Sequence, residues 1–213
     1  MIITIDGPSG AGKERIARYI KHKYNFYHLD SGLFYRHLAA ILDNNKININ
    51  NNKLLIKTLN SIKILSQHKS LHLRSEKIAR KASIIATKKI VRKFVDKQQH
   101  IVVKNKLKSF KGCVVDGRDI GSKVFKNAKI KLFIEVNVEI RAKRRHKQLI
   151  EQDEKIIYSQ ILKDLKLRDK KDLNRKISPL VKPHNAIVID NSNSFYLTCK
   201  QINFFLQKIE PRI

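Results

Sequence analysis

The chain has 213 residues, and its 46 lysines and arginines against 18 aspartates and glutamates give a formal charge of +28. The length suits one or two compact units, and 42% apolar residues are enough for a hydrophobic core, which argues against wholesale disorder. No apolar run reaches the ~18 residues of a membrane span, and Asp6 interrupts the first apolar run too early for a signal peptide. Two cysteines do not make a disulfide framework, so we expect reduced thiols and a cytoplasmic protein.

The positive charge has two explanations. It predicts polyanionic partners, which could be nucleic acid, an anionic membrane surface or small phosphorylated substrates. Residue usage is also skewed toward Lys, Ile and Asn, as in ILDNNKININNNKLLIK, so part of the charge could reflect the base composition of the genome. Composition alone does not choose between them.

Short apolar runs alternate with helical patterns along the chain. The predicted strands are Ile2–Ile5, Phe26–Leu29, Cys113–Val115, Ile130–Val136 and Ala186–Ile189. The predicted helices are Lys13–Tyr24, most of 53–100, Glu139–Ile150 and Tyr158–Asp169. Most of the strand runs are followed by Asp, Gly or Asn, as in buried parallel strands with functional loops at their carboxyl ends. The pattern predicts an α/β fold with a doubly wound parallel sheet.

Two segments depart from this alternation. Residues 37–104 are polar and helical without a strong core strand, which predicts an inserted subdomain, and residues 141–175 carry dense Arg and Lys, which predicts a mobile basic lid. We therefore expect one domain over 1–213, with its core formed by 1–36, 105–140 and 176–213.

The first strand leads into a phosphate-binding loop with the sequence Gly7-Pro8-Ser9-Gly10-Ala11-Gly12-Lys13, which is followed by a helix. Glycines permit backbone conformations that turn successive N–H groups around phosphate oxygens, and the helix N-terminus adds its positive dipole end. A lysine at the end of this loop reaches the β and γ phosphates. Strand, loop and helix together predict a binding site for a nucleoside triphosphate.

Glu14 and Arg15 follow this lysine, where the general pattern has Ser or Thr as a Mg²⁺ ligand. The Glu14 carboxylate could face away along the helix, pair with a cation such as Arg15, or itself ligate Mg²⁺. The first helical turn favours a negative charge, so we expect a capping or solvent-facing role.

The second strand ends in Asp30-Ser31 and enters a helix that carries Arg36. Asp30 or Ser31 could simply be the helix N-cap. Arg36, little more than one turn further on, could instead bind a second phosphorylated molecule opposite the phosphate loop.

The third strand ends in Asp116-Gly117-Arg118-Asp119. Apolar residues ending in an aspartate match a Walker B strand, in which Asp116 would hold Mg²⁺ through water. The alternative is a solvated strand end followed by a local ion pair.

Six segments together resemble the bacterial cytidylate kinase family from residue 2 to about 190: ITIDGPSGAGK, HLDSGLFYR, LRSEKIARKAS, VVDGRDIGSKVF, RAKRRHKQL and LRDKKDLNRKISPL. The resemblance implies a P-loop kinase fold, with a five-stranded parallel sheet flanked by helices, an inserted helical subdomain that binds the nucleoside monophosphate and a basic lid. It implies transfer of the ATP γ-phosphoryl group to CMP or dCMP with Mg²⁺.

The resemblance also implies roles for single residues in binding CMP. It assigns Ser83, Arg92 and Asp119 to the cytosine, whose N4 amino group donates to an aspartate while N3 and O2 accept from the other residues. It assigns the CMP phosphate to Arg36, Arg118 and Arg175, whose planar forks suit phosphate. It assigns the sugar to Tyr35, Arg168 and Asp172, and it includes Asp30 and Ser31 in the CMP site.

For ATP, the resemblance implies the loop from Gly7 to Lys13 with Glu14 and Arg15. It adds Arg141 and Arg145, which lie on one helix face because they are four residues apart. Their alternative is a solvated basic face. The implied catalytic residues are Lys13, Arg118, Arg175 and Asp116, and the implied metal ligands are Asp116 through water and Glu14.

The chain departs from the family pattern at Glu14 and Arg15, where Gly-Thr is usual, and at Lys171 and Leu173, where arginines are usual. Two rival functions remain: a nucleoside monophosphate kinase for another base, and an RNA-binding protein on a kinase-like fold. No RNA-recognition motif supports the latter. We expect a monomer with no specific nucleic acid and no membrane partner.

Overall fold

The computed structural model describes residues 1–62, 73, 75–151 and 157–210. Parts of the predicted 53–100 helical region, the lid and the last core segment lie outside these residues. Helices and strands alternate in the order β1 Ile2–Asp6, α1 Lys13–Tyr24, β2 Phe26–Asp30, α2 Ser31–Asn44, α3 Asn52–Ser61, α4 Glu76–Ile85, α5 Lys89–Lys106, β3 Gly112–Gly117, β4 Ile130–Glu135, α6 Val138–Ile150, α7 Tyr158–Asn174, β5 Ile187–Asp190 and α8 Phe195–Ile209. A short π-helical turn, Ile120–Val124, follows β3.

The five strands form one sheet in the order β2-β3-β1-β4-β5. The β1–β3, β1–β4 and β4–β5 pairs are parallel, and Asp6 lies in register with Gly117 of β3 and Phe133 of β4. Each predicted strand run forms a strand, with ends that shift by one or two residues. The α/β fold with a five-stranded parallel sheet is therefore confirmed, and the carboxyl ends of β1, β3 and β4 share one edge.

The core lies between this sheet and the helices on it. Strand residues such as Ile3, Ile5 and Val114 are fully buried because helices cover a parallel sheet on its faces. Helices α1 and α8 complete this cluster with Ile16, Ile20, Ile202 and Leu206.

The chain forms two compact units, one made of 1–28 with 110–213 and the other of 29–109. The first contains β1, β3, β4 and β5 with α1 and α6–α8. The second contains α2–α5 and has a small apolar cluster of its own, in which Ala40, Leu73 and Ile78 are buried.

Helices α6 and α7 form a pair within the first unit through a buried cluster of Ala142, Leu149, Ile161 and Leu165. The predicted α7 ended at Asp169, but the helix continues to Asn174. No Pro or Gly interrupts these residues, and Lys171 complements the dipole at the C-terminal turn. None of the described helices is long and apolar enough to cross a bilayer.

Candidate active site

The glycine-rich loop lies between β1 and α1, as the sequence predicted. Gly10 and Gly12 have φ angles of 73° and 83°, which side chains with a Cβ rarely adopt. A Cβ at Gly12 would also lie 2.5 Å from Nδ2 of Asn191. That Nδ2 donates to the carbonyl oxygen of Ala11 at 2.9 Å, so the loop after β5 supports the phosphate loop.

Lys13 is the first residue of α1, and its side chain turns back over the loop. The Nζ atom donates to the carbonyl oxygens of Gly7 and Pro8 at 2.9 and 2.7 Å. Burial, together with the nearby Arg118 charge, lowers the pKa of Lys13 to about 7, although Asp116 opposes the shift. The amine is buried beside the loop carbonyls, and an anionic phosphate bound there would stabilise its charged form.

Asp6 ends β1 and is fully buried. Its two carboxylate oxygens accept hydrogen bonds from the backbone N–H groups of Ile120 and Gly121 at 2.8 and 2.7 Å. Burial raises the pKa of Asp6 to about 6. Asp6 is not among the residues predicted from the sequence, although a carboxylate at the end of an apolar strand is a usable signal. Through its two hydrogen bonds, Asp6 fixes the turn that carries Asp119.

Asp116, the Walker B candidate, is the next-to-last residue of β3, and its Oδ1 is 2.7 Å from Nε2 of His28 on β2. No group of three or more His, Cys, Asp or Glu side chains forms a metal cluster in the described chain. Mg²⁺ in nucleotide sites usually takes one or two carboxylates, with phosphates and waters completing its coordination. A single carboxylate at this strand end, close enough to influence Lys13, therefore fits a metal that arrives with the nucleotide.

Glu14 and Arg15 each contact a group outside the loop. The Glu14 carboxylate accepts a hydrogen bond from Arg18 at 2.5 Å, one helical turn along α1. The Arg15 guanidinium lies 3.9 Å from the ring centroid of Phe195. Arg18 is thus a cation that pairs with Glu14, and pairing with a neighbouring cation was one of the alternatives that the sequence left open for this carboxylate.

A network of charged side chains joins the turn after β3 to the end of α7. Arg118 donates from Nε to Asp172 at 2.9 Å, and Arg175 donates from Nη1 to the other oxygen of Asp172 at 3.3 Å. Arg175 also lies 3.5 Å from Asp119. Arg168 is partly buried on the same helix, four residues before Asp172. Four of the residues assigned to CMP are thus brought together, although more than 50 positions separate Arg118 from Asp172.

Arg141 contacts the phosphate loop from α6. Its guanidinium is almost fully buried and donates to the carbonyl oxygen of Ser9 at 2.8 Å and to Asp169 of α7 at 2.6 Å. Asp169 accepts in turn from the backbone N–H of Ser9 at 3.3 Å. Arg145 instead donates to Gln148 on its own helix. Asp169 was missed by the sequence analysis because only its position beside the loop reveals its contact.

The second unit begins at Leu29, near the end of β2, and contains the helix that follows. The Asp30 side chain accepts from the backbone N–H of Leu33 at 3.3 Å, so it is the N-cap of α2, and Ser31 is the buried first residue of that helix. Arg36 donates to the carbonyl oxygen of Leu73 at 3.0 Å.

The same unit contains the predicted base-binding residues of α4 and α5. Arg92 is buried, donates from Nε to the carbonyl oxygen of Ala86 at 2.7 Å, and lies 5.7 Å from the ring centroid of Tyr35. Ser83 is exposed on α4.

Comparison with known proteins agrees with this geometry. A model of the family described as cytidylate kinase matches residues 3–208. The cytidylate kinase of Fusobacterium nucleatum subsp. nucleatum is 38% identical, covering 99% of this chain and 97% of that protein. The cytidylate kinase of Thermosipho africanus is 34% identical, covering 97% and 93%. The shikimate kinase of Bacteroides thetaiotaomicron has a TM-score of 0.50 at 10% identity, covers 99% of this chain and 98% of that one, and supports the fold alone.

Proposed function

The chain belongs to the cytidylate kinase family, and from that premise we propose which of its residues perform the reaction. The protein transfers the γ-phosphoryl group of ATP to CMP or dCMP, giving CDP or dCDP. The observation that carries the residue assignment is that Lys13, Asp116 and the Arg118–Asp172–Arg175 network lie near one another in one unit, after the carboxyl ends of parallel strands. Ligands of open α/β sheets bind at that edge.

Lys13, Arg118 and Arg175 neutralise the transferring phosphoryl group. Phosphoryl transfer depends mainly on positioning and charge stabilisation, so no residue needs to act as a strong general base. Asp172 accepts from both arginines and thereby orients their planar groups before substrate arrives. Arg36 of the second unit binds the CMP phosphate.

The ATP phosphates bind in the loop Gly7–Gly12, whose positive-φ glycines allow the backbone N–H groups to turn inward. Asp116 would hold Mg²⁺ through water, and the bound metal would neutralise developing charge on the phosphate oxygens. Glu14 is the weaker metal-ligand candidate because its carboxylate pairs with Arg18. Arg141 supports the loop through Ser9. Arg145, on the same helix, contacts the ATP phosphates or the adenine in this proposal.

For the base, Asp119 accepts from the cytosine N4 amino group, while Ser83 and Arg92 donate to its acceptors. Tyr35, Arg168 and Asp172 bind the sugar, and Asp30 and Ser31 begin the helix that presents Tyr35 and Arg36. This donor and acceptor pattern is complementary to cytosine and not to uracil, which presents an oxygen at position 4.

The domain assignments belong to the same proposal. Residues about 37–104 form the CMP-binding subdomain, and about 141–175 form the lid. The same proposal takes the enzyme to act as a monomer. The two cysteines, Cys113 and Cys199, are free thiols, which suits a reducing compartment such as the cytoplasm.

A coupled assay of ADP release tests the proposal. With Mg-ATP and CMP, dCMP, UMP, AMP or GMP as acceptor, kcat/KM is highest for CMP or dCMP. A preference for UMP or AMP would replace the base assignment, and no turnover with any acceptor would refute the kinase assignment.

A further inference from the structure

A histidine on β2 contacts the Walker B candidate. Nε2 of His28 lies 2.7 Å from Oδ1 of Asp116, and the exposed fractions of the two side chains are 11% and 9%. The two strands are neighbours in the sheet, so the contact is fixed by the backbone on both sides. Nothing in the sequence pattern of the phosphate loop or of β3 requires a histidine at this position.

This contact accounts for an imidazole in a buried strand. Burying a polar ring costs free energy unless it forms a hydrogen bond, and among the described residues Asp116 is its hydrogen-bond partner. Within the same residues, His28 is likewise the hydrogen-bond partner of the Asp116 carboxylate, whose Oδ2 is left as an acceptor. A purely structural role at this position could be filled by an apolar side chain.

We propose that His28 is a positioning residue: its Nε2–H donates to Oδ1 of Asp116 and thereby fixes the orientation in which Oδ2 accepts from the water of a nucleotide-bound divalent cation. This inference rests on the proposed function, because it concerns the carboxylate assigned to Mg²⁺. The physical basis is that a partner outside the coordination shell orients the liganding group and contributes to metal affinity.

The first test measures Mn²⁺ affinity by electron paramagnetic resonance in the presence of a non-hydrolysable ATP analogue. His28→Leu removes the donor, and its Mn²⁺ affinity should fall by about 10-fold or more. His28→Gln places an amide N–H near the position of Nε2 and should restore affinity to within about threefold of wild type. His22→Leu on the exposed side of α1 is the matched control and should leave the affinity unchanged.

Kinetics separate positioning from general damage. In His28→Leu the Mg²⁺ concentration for half-maximal rate should rise, while KM for CMP stays at its wild-type value. If His28→Leu binds Mn²⁺ as tightly as wild type, or if Gln fails to restore affinity in a folded variant, the inference is overturned. Because wild-type turnover of CMP is measured in the same series, loss of the proposed function would be seen separately.

A measurement on the unaltered protein covers the case in which His28→Leu does not fold. With ¹⁵N-labelled histidine, NMR should show a protonated Nε2 at His28 with a slowly exchanging, hydrogen-bonded proton. Its signal should shift when Mg-ADP is added. An Nε2 without a proton would contradict the donor role.

Discussion

The ammonium group of Lys13 occupies an unfavourable environment that a phosphate would relieve. The carbonyl oxygens of Gly7 and Pro8 accept its N–H groups, but burial still lowers its pKa to about 7. Because ligand phosphates favour the charged form, binding should raise this pKa again. The residue therefore links nucleotide binding to proton uptake.

The resulting prediction concerns proton exchange at pH 8.5. Free Lys13 is then mostly neutral, since the pH lies above its pKa of about 7, and the nucleotide phosphates are already ionised. Raising the pKa on binding must take up a proton, to a maximum of about one per site. Isothermal titration calorimetry with ATP analogue in buffers of different ionisation enthalpy measures this uptake.

Lys13→Met is the control, because it has no titratable amine and should bind nucleotide without proton uptake. Asp6 does not confuse the result, since burial raises its pKa only to about 6 and it stays ionised at pH 8.5. Proton release by the wild type, or equal uptake by both proteins, would contradict the placement of Lys13 at the phosphates.

Asp119 tests the choice of base. Asp119→Asn can offer an N–H where UMP presents O4, so the ratio of kcat/KM for CMP to kcat/KM for UMP should fall. The expected fall corresponds to a loss of ~1–3 kcal/mol in discrimination between the two substrates. The substitution also weakens the ion pair with Arg175, which lies 3.5 Å away, but that loss affects both substrates and cancels in the ratio. An unchanged ratio would assign Asp119 to structure alone.

At the scale of elements, α1 begins with an unusual first turn. Glu14 pairs with Arg18 and Arg15 lies over Phe195, so neither contact involves the loop. The Glu14 charge is favoured by the helix dipole but adds a negative charge near the ATP phosphates.

We predict that Glu14→Gly with Arg15→Thr raises kcat and modestly lowers the Mg²⁺ requirement, with KM for CMP unchanged. The variant should be less stable, by about 1 kcal/mol for glycine in the helix and a further ~0.5–1 kcal/mol for the lost Arg15–Phe195 contact. Steady-state kinetics and thermal unfolding measure both effects. Glu14→Gln removes the charge alone and serves as the control. If the folded double variant loses activity, Glu14 or Arg15 takes part in binding ATP or Mg²⁺, which would contradict the prediction.

The elements and the local motifs could be predicted from the sequence because their signals are local. The strands are apolar runs. The loop glycines and Lys13 form a strand-loop-helix pattern with the first strand, and Asp116 stands near the end of the third. Contacts between distant segments could not be predicted in this way. The Arg141–Asp169 pair at Ser9, the His28–Asp116 contact and the Asp6 bonds depend on which strand and helix ends become neighbours, which is a property of topology.

At the scale of the whole molecule, parallel strand order brings the ends of β1 and β3 together and makes one site from separate segments. The +28 charge is a second property of the whole chain. Exposed lysines such as Lys143 and Lys170 contribute to it without contacting the loop in the described structure.

If this charge serves small phosphates and solubility, RNA binding should be weak and independent of sequence. It should fall steeply with salt, because each neutralised phosphate releases counterions. Filter binding of two unrelated RNAs between 50 and 200 mM salt, a range over which contact-rich complexes lose about 10³-fold or more in affinity, measures the slope. Heparin is the control polyanion and should compete equally with both RNAs. Sequence-selective binding that persists at physiological salt would support an RNA-binding function instead.

The most direct test of the account is the turnover of CMP by Lys13→Met, measured beside wild type with saturating Mg-ATP. The variant should keep its fold, checked by circular dichroism and thermal unfolding. Its kcat should fall by about 10³-fold or more, because a cationic donor to the transferring phosphoryl group can contribute that much to the rate. A folded Lys13→Met protein with wild-type turnover would contradict the assignment of this loop to phosphoryl transfer.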